Sequence, residues 1–278
     1  MSSLTMGVTC SPFPATKEVR QVITPYLRRG MAAGLLAGLL AGLFAFFTGE
    51  PLLDQAIALE ESAVHSHEEG AARSHEDDGE VFSRATQKVG LFFATGLSGV
   101  FIGGLFGLVY AYFRSRMAAG SEWTRSVSLA AVIFAGTVLI PFLKYPANPP
   151  AVGDPATIGT RTAAYLALVG FSLLAILAAW QASRYLRERG VVSTPVRQVV
   201  VGLGLIIAVS VLFVGLPAAA DPGEFPAGLL WSFRLSSLGT QTVLWASLGA
   251  IFGLLGERAE ARKTYGAPAA NLAESGSP

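Results

Sequence analysis

Six long apolar stretches, separated by polar segments, dominate the pattern of this chain. Each is close to the roughly 20 residues that a helix needs to cross a hydrocarbon core of about 30 Å. Because a helix satisfies its own backbone hydrogen bonds in lipid, these stretches predict transmembrane helices. The predicted spans are Met31–Gly49, Val89–Phe113, Ser126–Leu143, Ala163–Ser183, Val199–Leu216 and Gly228–Leu255. The predicted fold class is therefore an all-α integral membrane protein, a six-helix transmembrane bundle.

The composition favours a membrane protein and argues against several other classes. Of 278 residues, 52% are hydrophobic and 14% are charged, whereas a soluble domain carries about 25% charged residues. The single Cys10 excludes an intrachain disulfide, and scattered basic residues do not indicate nucleic-acid binding. The chain has no phosphate-binding Gly-Lys-Ser/Thr loop and no nucleophile–base constellation. Neither an enzyme nor a bound cofactor is expected.

The distribution of Lys and Arg predicts the orientation of the spans. Fourteen of the 20 basic residues lie in the two terminal segments and two alternate connections, five lie in the other connections, and Arg234 lies within a span. Because cytoplasmic segments carry the excess of positive charge, both termini are predicted to be cytoplasmic. The predicted organisation is a mobile tail over 1–27, a transmembrane domain over 28–258 and a second mobile tail over 259–278. The first span is interpreted as an anchor, since no signal-peptide cleavage motif follows it.

The predicted outer loop over 50–88 carries the candidate metal chemistry. It holds ten of the 19 acidic residues and all three histidines, with a net charge of −7. Such a cluster concentrates cations, and carboxylate with imidazole suits cobalt, nickel or zinc. Glu50-Pro51 favours a helix start, after which Asp54, Glu61 and His65 would share one face. The candidate metal ligands are Glu50, Asp54, Glu60, Glu61, His65, His67 and His75. The alternative is a solvated acidic loop that binds nothing tightly.

A polar stripe on the last predicted span is the candidate transport path. Arg234 lies about 9 Å into this span at 1.5 Å per residue. Since ionisable residues inside a membrane are usually functional or paired, we expect a carboxylate partner. Snorkelling of Arg234 to the outer surface is the alternative. The expected partner is one of Glu50, Asp54 and Glu224, and the polar residues beside Arg234 are Ser237, Thr240 and Gln241.

The second predicted outer loop, over 144–162, is rich in proline. Four prolines within ten residues stiffen it and forbid a regular helix. We interpret this loop as a rigid cap over a pathway, with a taut linker between two spans as the alternative. Its candidate path or gating residues are Lys144, Asp154 and Arg161.

Glycine recurs every four residues in the first two predicted spans. The two ridges are Gly30, Gly34, Gly38 and Gly42 in the first span, and Gly99, Gly103 and Gly107 in the second. Ridges of this kind let two helix backbones approach closely in lipid. We interpret them as sites of tight packing rather than as part of a transport path.

Four stretches together resemble the CbtA family of probable cobalt transporter subunits. They are Arg29–Phe47, the Glu50-Pro51 to Glu60-Glu61 segment with the histidines after it, Pro141–Tyr165 and Phe225–Phe252. The resemblance implies a multi-pass protein of the bacterial plasma membrane that takes part in cobalt(II) uptake for cobalamin synthesis, with nickel(II) as the alternative ion. It also implies a small single-span partner subunit that bears histidines. The family is usually described with one span fewer than hydropathy predicts here.

The residues and the resemblance together predict a membrane permease subunit for a divalent transition metal. Its expected partners are the lipid bilayer, the metal ion and the single-span subunit. One alternative is a non-transporting membrane scaffold or metal-sensing subunit that binds a small partner protein. Another is a permease for an anionic solute, with Arg234 as the ligand of that solute.

Overall fold

The computed structural model describes residues 15–68, 84–150, 152–190 and 192–274, and the regular secondary structure in these ranges is helical. The α-helices are α1 Ala15–Thr48, α2 Glu50–Glu68, α3 Arg84–Phe113, α4 Glu122–Phe134, α5 Ile140–Lys144, α6 Ile158–Arg189, α7 Thr194–Gly215 and α8 Ala227–Glu274. A π-helical segment, Ala135–Leu139, joins α4 to α5, and a short 3₁₀ turn, Pro155–Thr157, precedes α6.

Among the described residues, six helical segments are long and apolar enough to cross a membrane, which confirms the predicted fold class. They are Ile23–Thr48, Thr86–Phe113, Glu122–Lys144, Ile158–Arg189, Thr194–Gly215 and Ala227–Arg262. The third segment combines α4, the π-helical segment and α5. Large apolar side chains point outward, among them Phe93 and Val214, which are 77% and 88% exposed. Such a surface suits lipid rather than water.

Helix α1 lies at the centre of the bundle and packs against α3 and α8, while α4 packs on the other side of α8. Small and aromatic side chains form the core between them: Ala33, Ala37, Ala41, Phe106, Tyr110, Ala130, Leu244, Leu248 and Phe252. Helix α6 packs against α5 and the π-helical segment. Helix α7 packs against α6 and has no fully buried residue.

The two glycine ridges face each other in the α1–α3 pair. A Cβ atom on Gly34 would overlap the carbonyl oxygen of Gly99, and a Cβ atom on Gly103 would overlap that of Gly30. The two backbones therefore touch, which is the close approach that small residues permit between helices in lipid. This geometry confirms the interpretation of the ridges as sites of tight packing.

The helices extend further at both ends of the chain than the sequence predicts. Helix α1 begins at Ala15, so residues 15–27 are helical where a tail is predicted, and α8 continues through 259–274. The reason at the second end is composition, because Glu, Arg, Ala and Lys follow the last span and all favour helix. The mobility of these segments stays a prediction.

The predicted outer loop over 50–88 begins with a regular helix. Helix α2 has 19 residues and starts at Glu50, as the Glu50-Pro51 pair indicates. It packs against α1 and α8, and its residue Ala56 is fully buried. Residues 69–83, which include His75, lie outside the described residues.

Candidate functional site

A partly open cavity of about 580 Å³ lies at the end of the bundle where α8 begins. Six parts of the fold contribute to its wall: Ile102 of α3; Thr137, Val138 and Phe142 of the third span; Tyr145, Pro146, Ala147 and Asn148 of the Pro-rich loop; Ile158, Arg161, Thr162 and Tyr165 of α6; Ala219 and Ala220 before α8; and Arg234, Ser237, Leu238, Gln241 and Trp245 of α8. Arg161 and Arg234 are the charged residues among those that line it, so we name it the arginine cavity.

The π-helical segment shapes one side of the arginine cavity. It carries Thr137 and Val138 into the wall, and the Thr137 hydroxyl donates to the carbonyl of Ile133 over 2.8 Å. On the same segment, Gly136 lies against Leu173 and Ile176 of α6. The widened turn therefore sits between the cavity and the neighbouring helix, a position that π-helical segments often take at functional sites.

Arg234 is held in the arginine cavity by an amide. Its Nη2 donates to Oδ1 of Asn148 over 2.8 Å, and its buried Nε has no hydrogen-bond partner among the described residues. The predicted carboxylate partner, one of Glu50, Asp54 and Glu224, is therefore wrong. The reason is that the Pro-rich loop folds over the start of α8 and brings an amide oxygen to the guanidinium. A neutral oxygen leaves the positive charge uncompensated.

Arg161, in the first turn of α6, supplies the second guanidinium. Its Nη2 donates to the carbonyl of Asp154 over 3.1 Å, and its buried Nε has no partner in the described part of the chain. Gly153, at a φ of 93°, brings the loop backbone against this guanidinium, where a Cβ atom would overlap Arg161. Of the described carboxylates, none lies within 4.0 Å of Arg161 or Arg234.

The remaining residues of the predicted polar stripe on α8 separate into two groups. Ser237 and Gln241 line the arginine cavity together with Arg234. Thr240 is absent from the lining and donates to the backbone carbonyl of Ser236 over 3.0 Å. The cavity therefore gathers three of the four predicted stripe residues.

Lys144 and Asp154 hold the Pro-rich loop and do not line the cavity. The Lys144 ammonium donates to the carbonyl of Phe213 over 2.7 Å, near the C-terminal end of α7, where a cation is favoured. Oδ1 of Asp154 accepts from the backbone N–H of Ala156 over 2.9 Å. Both contacts fix the course of the loop, and their role in transport stays a prediction.

The Pro-rich loop runs along the cavity. Residues 145–148 line it, and the Tyr145 hydroxyl donates to the carbonyl of Pro217 over 2.6 Å. Burial raises the pKa of Tyr145, so its hydroxyl stays protonated and keeps this bond. The placement supports the interpretation of the loop as a cap rather than as a simple linker.

The predicted metal ligands do not form a cluster among the described residues. Within those ranges no group of three or more His, Cys, Asp or Glu side chains could hold a metal ion. Asp54 instead pairs with Lys88, with 2.8 Å between Oδ2 and Nζ. At 1.5 Å per residue, Asp54 and Glu61 lie about 10 Å apart along α2, too far to share one ion. Asp54 and Glu61 are therefore not expected to share one ion directly, and metal binding by each of them stays a prediction.

The remaining predicted ligands lie along α2 and beyond it. Glu60 and Glu61 are exposed, and Glu50 is half-buried at the start of the helix. His65 and His67 belong to the α2 backbone, but their side chains lie outside the described ones, as does the whole of His75. One helical turn separates Glu61 from His65, a spacing at which two side chains can reach one ion. Metal binding by all these residues stays a prediction.

A buried ionic cluster at the opposite end of the bundle was missed by sequence reasoning. Glu122 is 3% exposed, and its carboxylate pairs with Arg114 at 3.1 Å, Arg29 at 3.4 Å and Arg125 at 3.6 Å. The guanidinium carbons of Arg29 and Arg114 each lie 5.3 Å from the ring centre of Tyr26. We name Glu122 and its three arginines the Glu122 cluster, which joins the middle of α1 to the C-terminal end of α3 and the start of α4.

The sequence does contain a signal for the position of Glu122. Ser121 precedes it and accepts a hydrogen bond from the backbone N–H of Thr124 over 3.1 Å, as an N-cap residue does. Glu122 therefore lies in the first turn of α4, where the helix dipole favours a carboxylate. Its charged neighbours nevertheless make the connection resemble an ordinary solvated turn.

Six apolar helical segments, four of which line a positively charged cavity at one end, define a multi-pass helical membrane protein. The family model described as probable cobalt transporter subunit (CbtA) matches residues 23–257. Because the match covers most of the chain and overlaps all six candidate spans, the chain belongs to the CbtA family. No curated protein and no solved structure matches the chain.

Proposed function

We propose that this chain is the membrane-embedded subunit of a transporter that brings cobalt(II) into a bacterial cell for cobalamin synthesis. The observation that carries the proposal is the CbtA match across all six candidate spans. Nickel(II), which accepts the same nitrogen and oxygen ligands, is the alternative ion. In this proposal both termini are cytoplasmic in the plasma membrane, so α2 and the arginine cavity face outward.

The first step of the proposed transport is capture of the ion outside the membrane. The exposed carboxylates of Glu60 and Glu61 attract cations to α2. His65 and His67, later on the same helix, add nitrogen ligands. In this proposal the remaining ligands come from His75, in the segment after α2, and from a small His-bearing partner subunit.

Cobalt uptake in whole cells tests the role of α2. We expect the combined change Glu60→Ala, Glu61→Ala and His65→Ala to lower the initial rate of uptake about tenfold at scarce cobalt, because local enrichment of the ion is lost. The matched control is Asp221→Ala with Glu224→Ala, which removes two exposed carboxylates from the connection before α8. Equal uptake by the triple variant and the unchanged chain would remove α2 from the mechanism.

Reconstitution separates the permease from a scaffold or sensor. The purified chain in vesicles, alone and with its single-span partner, is tested for entry of cobalt into the lumen. We expect flux in at least the two-subunit vesicles. Binding of the partner with no flux in either preparation would instead support a non-transporting scaffold or metal-sensing subunit.

A further inference from the structure

We propose that the arginine cavity binds a small organic carboxylate through Arg161 and Arg234, either as the free anion or as the chelating ligand of the transported metal. The metal-bound form rests on the proposed function, whereas binding of the free anion does not. The expected ligand of the cavity is therefore an anion rather than a bare cation.

The first support is the charge of the cavity. Two guanidiniums line it, no carboxylate residue is among its described lining residues, and each described hydrogen bond of the two arginines goes to a neutral oxygen. The Nε atoms of both arginines are buried without a described partner. The positive charge of this partly buried site favours an anion, and a bare divalent cation would be repelled. An oxyanion fits this charge.

The second support is the match between the donors and a carboxylate. A guanidinium presents its N–H groups as a planar fork that fits two carboxylate oxygens. Asn148 holds the Arg234 fork through one nitrogen, which leaves its other donors available. Ser237 and Gln241, on the same helix, supply further polar groups for the remaining oxygens of the ligand.

The third support is the size and the lining of the cavity. Its volume of about 580 Å³ falls in the range of about 300–1,000 Å³ that is typical of small-molecule sites. The six waters around a metal ion need roughly 180 Å³, at about 30 Å³ each. Phe142, Tyr165 and Trp245 add apolar and aromatic surface against which a carbon skeleton can pack. The cavity thus suits an organic anion better than a hydrated ion.

The test is calorimetric titration of the purified full-length chain in nanodiscs of zwitterionic lipid. The probes are citrate, the cobalt(II)–citrate complex and cobalt(II) chloride. We expect saturable binding of citrate or of its cobalt complex. Arg161→Gln and Arg234→Gln should each weaken that binding about tenfold or more, because each removes a charged hydrogen-bond donor. Tighter binding of free citrate would indicate that the cavity takes the free anion. Tighter binding of the cobalt(II)–citrate complex would indicate that it takes the metal chelate.

The matched control is Arg184→Gln, which removes an arginine of α6 that pairs with Glu188 and lies outside the cavity. Its affinity for citrate should equal that of the unchanged chain. Helix content by circular dichroism checks that every variant is folded. If an arginine variant folds poorly, Asn148→Asp is used instead, since its new carboxylate would occupy Arg234 and weaken citrate binding.

Three results would overturn the proposal. They are the absence of saturable binding for both citrate forms, binding that survives unchanged in the folded cavity variants, and an equal loss in Arg184→Gln. Co-purification of phosphatidylglycerol with the unchanged chain but not with Arg234→Gln, together with no citrate binding, would assign the cavity to a lipid phosphate and also overturn it. Cobalt uptake is measured separately, so failure here leaves the transport proposal standing.

Discussion

The two ends of the bundle both carry partly buried arginines, but they compensate the charges differently. In the Glu122 cluster, one buried carboxylate meets three guanidiniums. In the arginine cavity, Arg161 and Arg234 meet neutral oxygens. Helix α8 connects the two ends, because Arg234 lies at one and Gly256, beside Arg29 and Glu122, lies at the other. The distance along the helix is about 33 Å at 1.5 Å per residue, close to the thickness of a hydrocarbon core.

This difference separates a structural use of arginine from a binding use. The Glu122 carboxylate pairs with all three arginines of its cluster and offsets part of their charge, so the fold itself supplies an anionic partner at that end. In the arginine cavity no described carboxylate meets Arg161 or Arg234, so their charges remain available to a bound anion. The contrast predicts a large loss of stability when the carboxylate of the Glu122 cluster is removed, and little change when one cavity arginine is removed.

The largest effect is expected from Glu122→Gln. Three arginines would lose their pairing with Glu122, although Arg114 keeps Glu260 at 3.5 Å, and breaking a buried ion pair from one side costs about 3 kcal/mol or more. The expected loss of stability lies at the lower end of this range, because the Arg114 side chain is 34% exposed and solvent weakens its attraction. The measurement is the free energy of unfolding of the purified chain in detergent. Glu260→Gln, whose side chain is 56% exposed, is the control and should change stability by less than about 0.5 kcal/mol.

The second effect concerns the α1–α3 contact that runs between the two ends. We expect Gly34→Ala to lower the free energy of unfolding by about 2 kcal/mol, because its Cβ would meet the Gly99 backbone and force the helices apart. Gly202→Ala in α7 is the matched control, since a Cβ there meets nothing within 4 Å. Equal stability of the two variants would show that α1 and α3 do not touch.

The third effect comes from making the cavity resemble the Glu122 cluster. Asn148→Asp would place a carboxylate where the amide oxygen now lies 2.8 Å from Arg234. We expect a gain of about 1 kcal/mol in the free energy of unfolding at most, because both side chains are partly exposed. The same variant should lose affinity for citrate in calorimetry. A stable Asn148→Asp variant that binds citrate as tightly as the unchanged chain would show that Arg234 does not bind the anion.

The smallest effect on stability is expected from Arg234→Gln. Removal of an uncompensated charge should change the free energy of unfolding by less than about 0.5 kcal/mol, in either direction, since little attraction is lost. Arg29→Gln, which removes a partner of Glu122, should cost more than that. Thermal melting of both variants under the same conditions provides the comparison, and the reverse order of losses would contradict it.

Features that depend on local sequence were predictable. The six spans follow from apolar length, and the start of α2 follows from the Glu50-Pro51 pair. The glycine ridges indicate close packing because a four-residue period places small residues on one face. Arg234 stood out because a charge inside an apolar stretch is rare.

Features that depend on the meeting of distant segments were not predictable. The partner of Arg234 is Asn148, 86 positions away, and nothing in the sequence around either residue indicates this contact. Glu122 meets Arg29 across 93 positions. Glu122 follows the short charged connection after α3, which in the sequence resembles an ordinary solvated turn. Asp54, one of the expected partners of Arg234, instead pairs with Lys88. These contacts are set by how the helices pack, which periodicity alone does not encode.

The most direct test of the proposed outward-facing capture site and cavity is labelling of intact cells. In a Cys10→Ser background, Glu61→Cys near the cavity end and Arg187→Cys at the C-terminal end of α6 are exposed to a membrane-impermeant maleimide. We expect Glu61→Cys to react in intact cells and Arg187→Cys to react only after permeabilisation. The reverse pattern would place α2 and the arginine cavity on the cytoplasmic side and would contradict both the orientation and the capture of metal from outside.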